Sequence, residues 1–199
     1  GRDTGGMNVY VREVSRHLGQ QGIAVDVYTR QQDPCSPRVV EFAPQARVIH
    51  LPAGPTAPYS KHRVWDHLAE FLEEVQAFRH SQGVHYDIMH SHYWLSGWVA
   101  LQLRQTWQVP VVHMSHTLGY AKNAVAQQPW EQEPVRRLQV EYEVLQESNA
   151  LIAESPASKE LMVRDYRVDP AKVQVIPCGV DTTLFAPQEQ REARRALAL

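Results

Sequence analysis

The stretch Asp3-Thr4-Gly5-Gly6-Met7-Asn8-Val9-Tyr10-Val11 decides how the rest of the chain is read. A Gly-Gly turn runs straight into a helical pattern, with Met7, Val11, Val14 and Leu18 on one face up to residue 21. Gly22 stops that helix, and the β-branched run 23–29 follows as a buried strand. A bare helix N-terminus beside flexible glycine backbone is a place to hold an anionic group. A doubly wound domain carries such a turn directly after its first strand. Almost nothing precedes Gly5, so the expectation is that this first strand is missing from the sequence given.

Strand-like and helix-like segments then alternate. Residues 39–40 and 47–51 read as weaker strands, and Pro52, Gly54, Pro55 and Pro58 mark a loop. A second helix turns Val64, Leu68, Phe71, Leu72, Val75 and Phe78 inward. Residues 86–90 read as a strand, 95–106 as a helix and 109–114 as a strand. A long helix over 131–147 carries Val135, Leu138, Tyr142 and Leu145 on its apolar stripe and Glu141, Glu143 and Glu147 on a solvated face. Residues 150–153 form a strand, Ser155 caps the next helix ahead of Pro156, residues 173–176 form a last strand, and 191–199 begin a charged helix. This alternation predicts an α/β fold, a Rossmann-like parallel sheet with helices on both faces.

Composition narrows the class. With 43% hydrophobic and 21% charged residues the chain is an ordinary soluble globular sequence, long enough to bury a full core. A net charge of -2 without a Lys/Arg block argues against nucleic acid as a partner. Cys35 and Cys178 stand far apart, which disfavours a disulfide framework and favours a reducing compartment, so the expected location is cytoplasmic. No apolar run reaches the roughly 20 residues of a membrane span.

Ligands of such sheets bind beyond the carboxyl ends of the strands. Polar residues gather there: Ser91-His92-Tyr93-Trp94, Ser115-His116-Thr117 and Cys178-Gly179-Val180-Asp181, beside Gly5-Gly6. His90, His92, His113 and His116 invite a metal, but no carboxylate or Cys stands beside them and no metal is expected. His90 and His113 read as satisfied core histidines, and His116, followed by a hydroxyl residue at a strand end, as the functional one. Lys61, Lys122, Arg136 and Arg137 form an anion pocket if the fold converges them, and solvated surface charges if it does not. The G-x-G-x-x-G spacing and downstream acid of a nicotinamide site are absent.

Four segments taken together carry a resemblance: DTGGMNVYVREVSRHLGQQG (3–22), HSHYWLSGW (90–98), SHTLGYAKN (115–123) and VIPCGVDTTLFAP (175–187). In order and spacing they resemble glycosyltransferase family 4, across essentially the whole chain. The resemblance implies the GT-B fold, two Rossmann-like domains with the active site in the cleft between them. On that basis residues 1–184 are the acceptor-binding N-terminal domain, truncated at its start. Residues 185–199 are a linker into an absent C-terminal domain that binds the donor.

The implied reaction is a retaining transfer from a nucleotide sugar, most simply a UDP-sugar, to a phosphorylated polyol or sugar. The acceptor is inositol-phosphate-like, or alternatively fructose 6-phosphate, and no cofactor is required on this domain. Motif position implies acceptor-phosphate contacts from Lys61, Tyr93, Thr117 and Arg136, and acceptor-pocket contacts from Asn8 and Lys122. It implies donor contacts from Gly5 and Gly6, and His116 as the active-site histidine near the transferred sugar. Residues 120–133 depart in detail from the resembled pattern, so the acceptor stays open. The 199 residues alone are expected to be inactive. The rival reading from another class is a non-catalytic Rossmann-like module that binds a phosphorylated metabolite.

Overall fold

The computed structural model describes residues 5–57, 59 and 61–198, without the side chains of Lys61 and His62. Glycine stops and β-branched runs set the element order. Helix α1 (Gly6–Gln20) ends at Gln21, and Gly22 turns the chain with φ +84°. Strands β1 (Val25–Arg30), β2 (Val39–Ala43) and β3 (Ala46–Leu51) follow. The loop after β3 leads into a short helix α2 (Lys61–Val64), a 3-10 turn (Trp65–His67) and α3 (Leu68–Gln82). Then come β4 (Met89–His92), α4 (Tyr93–Trp107), β5 (Val111–Met114), α5 (Gly119–Val125) and α6 (Val135–Glu147). The series closes with β6 (Ala150–Ala153), α7 (Pro156–Tyr166), β7 (Val173–Val175) and α8 (Gln190–Ala196). The Ser155 cap is realised, its hydroxyl accepting from the Ser158 N–H at 3.1 Å.

The α/β architecture with flanking helices matches the expectation, but the strands form two sheets among the described residues. One has the order β1-β3-β2, and the other the order β4-β5-β6-β7. The second is wholly parallel, while β2 runs antiparallel to β3. Helix α1 reaches across both sheets. Its Tyr10 ring packs edge-on to His92 and His116 beside the second sheet, whereas Gly19 lies close against Pro44 and Ala46 on the first. The apolar stripe of Met7, Val11, Val14 and Leu18 is only half-buried; Ser15 and Gly19 are the buried positions. The two sheets share no paired strands among the described residues, and the helix bridges the seam between them.

The sheets share one apolar core, in which Ile49 and Leu51 meet Val75, Phe78, Met89, Val99 and Val111. A polar brace crosses the same seam. Tyr86 donates to Asp26 at 2.6 Å and its hydroxyl lies 2.5 Å from that of Tyr28, while Arg47 pairs with Asp26. Burial works against the Asp26 charge, but Arg47 and Tyr86 outweigh it and hold the carboxyl below its usual range. Tyr86 lies ahead of β4, whose pairing with β5 begins at Met89 and not near residue 86 as expected. Among the described residues no helix is long and apolar enough to cross a membrane.

Helix α6 corrects the sequence reading most. The expected stripe leaves Val135 and Tyr142 exposed, and the buried face is Arg137, Val140, Glu141, Val144 and Leu145. An Arg and a Glu four apart on a helix meet as a pair, and that internal pair lets two charged residues replace an apolar stripe.

Candidate functional site

Two abrupt strand-to-helix turns build the site at the carboxyl ends of β4 and β5. Strand β4 ends at His92 and α4 starts at the next residue, which forces Tyr93 to φ +75°. After β5, His116 takes φ +57° and the Thr117 N–H donates to the Ser115 carbonyl at 2.7 Å. Left-handed backbone at non-glycine residues costs about 1–3 kcal/mol each and clusters where function needs a fixed geometry. Because His92 is level with Met114 in the parallel register, these turns bring His92, Tyr93, His116 and Thr117 to one edge.

Of the two histidines expected in the core only His113 lies there; His90 is exposed, because side chains alternate along β4 and Met89 and Ser91 take the buried face while His90 and His92 share the other. His113 is fully buried, with Ser91 Oγ 2.8 Å from Nδ1 and Ser115 Oγ 3.2 Å from Nε2. Burial pushes His113 down to about 3. His92 Nδ1 lies 2.9 Å from His116 Nε2, a pairing that needs one ring to donate and the other to accept. Burial, helped by the neighbouring His90, pushes His92 down to about 2. His116 is also lowered by burial, against an opposing pull from Glu154, so its imidazole is neutral at pH 7. Among the described residues no group of His, Cys, Asp and Glu is arranged to hold a metal ion.

Arg137 is the centre of the arrangement. It is fully buried, and its Nη1 donates to the Tyr93 hydroxyl at 3.0 Å and pairs with Glu133 at 2.8 Å. Its Nη2 reaches both the hydroxyl and the carbonyl of Thr117 at 3.1 Å. Nε and Nη2 grip Glu141 Oε1 at 3.1 and 3.0 Å. Burial opposes the guanidinium charge, but Glu141, Tyr93 and Glu133 outweigh it and raise the group. The second oxygen of Glu141 accepts from the Gly119 N–H at 2.7 Å and from the Tyr166 hydroxyl. Every N–H of the fork is thereby engaged.

The predicted acceptor residues converge only in part. Tyr93 and Thr117 meet through Arg137. Arg136, the arginine expected there, lies with its guanidinium over the Trp65 ring, 5.4 Å from the centroid. The sequence flagged both arginines as possible anion ligands but could not say which faces inward. The helical register decides it, with Arg137 on the buried face. Lys122 is paired with Glu133, whose carboxyl Lys122 and Arg137 hold below its usual range against burial. Lys61 opens α2, and its side chain lies outside the described residues.

Asn8 is exposed on the first turn of α1. Gly5 caps α1 with no side-chain hydrogen bond, and a Cβ on Gly5 or Gly6 would meet none of the described residues within 4 Å. An open pocket of about 260 Å³ is lined by His116, Thr117, Lys122, Glu154 and Ser158, with Leu118 and Met162 among its apolar walls.

Residues 4–184 match the sequence pattern of Glycosyltransferase Family 4. The chain belongs to glycosyltransferase family 4. It is 42% identical over 199 residues to the D-inositol 3-phosphate glycosyltransferase of Geodermatophilus obscurus, covering 99% of this chain and 44% of that protein. It is similar in structure to sucrose-phosphate synthase from Thermosynechococcus elongatus, with a TM-score of 0.87 and 36% identity over 98% of this chain and 47% of the other. Anabaena Alr3699/HepE, solved in complex with UDP and glucose, shares the fold with a TM-score of 0.63 at 15% identity, over 98% of this chain and 47% of its own. This family 4 chain thus spans about half the length of the proteins it matches.

Proposed function

We propose that residues 1–184 are the acceptor-binding domain of a retaining glycosyltransferase and that residues 185–199 lead toward a donor-binding domain in the parent protein. The observation that carries this reading is the Arg137 fork, which ties Tyr93 and Thr117 together next to His116. Family membership supplies the reaction class. The acceptor is a phosphorylated polyol of the inositol phosphate kind. Its phosphate is held by Lys61, Tyr93 and Thr117, with Arg137 in the place first given to Arg136. Because the Arg137 N–H groups are all engaged, it acts by aiming the two hydroxyls and by setting the local potential. Asn8 and Lys122 line the rest of the acceptor pocket.

The donor is a nucleotide sugar, most simply a UDP-sugar, whose diphosphate lies at Gly5 and Gly6. The uncapped first turn of α1 offers N–H groups and a positive helix end to that diphosphate. In the transfer, the bond between the anomeric carbon and the diphosphate oxygen breaks while one to the acceptor hydroxyl oxygen forms on the same face. The hydroxyl proton passes to the departing diphosphate. No carboxylate nucleophile is used, and the rate comes from positioning and from stabilising the leaving group. Neutral His116 exchanges hydrogen bonds with the transferred sugar without adding charge. The likeness to sucrose-phosphate synthase supports a second reading, with fructose 6-phosphate as acceptor.

The test is product analysis with the parent protein, using UDP-, GDP- and ADP-sugars against inositol phosphate and fructose 6-phosphate. Formation of a glycoside with the donor's anomeric configuration supports the proposal; an inverted product or none from any pair contradicts it.

A further inference from the structure

Arg136 and Trp65 have no place in the site just described, yet they lie against it. Trp65 is four residues after Lys61, about one helical turn further along the same run of α2 and 3-10 backbone. Its indole stacks on Trp94 with ring centroids 5.5 Å apart and planes at 15°, and it tilts against Trp98 at 5.3 Å. The Arg136 guanidinium covers the same ring at 5.4 Å. Trp94 is the neighbour of Tyr93 on α4, and Arg136 is the neighbour of Arg137 on α6. The two helices therefore present two adjacent pairs. Tyr93 with Arg137 builds the fork, and Trp94 with Arg136 encloses Trp65.

The helices that carry these pairs are closely packed: a Cβ on Gly97 would lie 2.6 Å from Val144. A displacement of one pair is thereby transmitted to the other. We infer that Trp65, enclosed by Trp94, Trp98 and Arg136, is a dock that fixes the turn bearing Lys61 in register with Tyr93 and Thr117. Trp65 and Arg136 are positioning residues for recognition of the acceptor anion. They touch no reacting atom. The inference rests on the acceptor-phosphate role proposed for Lys61. It adds that this role depends on an aromatic and cationic clamp outside the anion pocket.

The test compares Trp65→Ala, Trp65→Phe, Arg136→Ala and Arg136→Lys in the parent protein. Loss of the indole is expected to raise KM for the phosphorylated acceptor roughly tenfold, and loss of the guanidinium a few-fold, in line with the strength of ring and cation–π contacts. kcat and donor KM stay within about twofold, because the reacting groups are untouched. Trp65→Phe and Arg136→Lys restore most of the affinity. Lys61→Ala combined with Trp65→Ala is no worse than Lys61→Ala alone. A uniform fall in kcat for all substrates, or an unchanged acceptor KM, overturns the dock. If the wild-type parent transfers no sugar, the function proposed above fails instead. The dock is then decided by trypsin cleavage after Arg63, accelerated in Trp65→Ala if it holds and unchanged if it does not.

Discussion

The Arg137 guanidinium donates to the Tyr93 hydroxyl at 3.0 Å and lies 4.9 Å from the centre of the same ring. One residue thus fixes the tip and the face of another that opens the next helix in left-handed backbone. Removing Arg137 would leave Glu141 buried beside Tyr166 without its cation. Arg137→Ala is therefore expected to destabilise the protein by about 3–5 kcal/mol, as when one partner of a buried pair is deleted. Arg137→Lys keeps the charge but loses the fork, and recovers only part of that. Urea or thermal unfolding measures both, and a change within error for Arg137→Ala would refute the structural role.

Gly97 predicts a packing defect. A Cβ there would press on the stiff branched side chain of Val144 at 2.6 Å and on His113 at 3.1 Å. Gly97→Ala should cost about 1–3 kcal/mol through overpacking. A smaller partner, Val144→Ala, should relieve part of it in the double variant, so the two effects will not add.

The buried histidines set a pH dependence. His113 and His92 sit far below the ordinary value of about 6.5 because burial disfavours their charged forms. Between pH 6.5 and about 3 the unfolded chain binds protons there that the folded chain does not. Stability is therefore full above pH 6.5 and falls on acidification, by about 1.4 kcal/mol per pH unit for each such histidine. Unfolding measured from pH 7 to 5 should show this slope, and His113→Asn should flatten it. A stability that rises as pH falls would contradict the assignment.

Thr117 separates recognition from folding. Its side chain is exposed and its hydroxyl accepts from Arg137 at 3.1 Å. Thr117→Val in the parent protein should raise acceptor KM by about tenfold or more, the worth of a hydrogen bond to a charged group, with little change in unfolding temperature. Steady-state kinetics against acceptor at saturating donor read the effect directly.

The alternation of strands and helices was legible because glycine, proline and β-branched runs act locally. The turns carrying His92-Tyr93 and His116-Thr117 were legible for the same reason. Helix α5 was not: it is short, starts at Gly119 and depends on Glu141, a residue 22 positions away, for the N–H at its start. The inward face of α6 was hidden because an Arg–Glu pair at i and i+4 reads as solvated until both charges are seen to neutralise each other. The choice between Arg136 and Arg137 follows from that register alone. Adjacent residues on a helix point about 100° apart, so a one-residue shift exchanges the fork for the dock.

The central claim is that this edge of the sheet reads a phosphate on the acceptor. The most direct measurement is the ratio of kcat/KM for inositol phosphate over unphosphorylated inositol with the parent protein and a UDP-sugar. The account predicts a ratio of at least about 100 in the wild type, since a charged hydrogen-bonded group unmatched in the site costs several kcal/mol, and a collapse toward 1 in Thr117→Val with Lys61→Ala. Equal efficiency with and without the phosphate would contradict it.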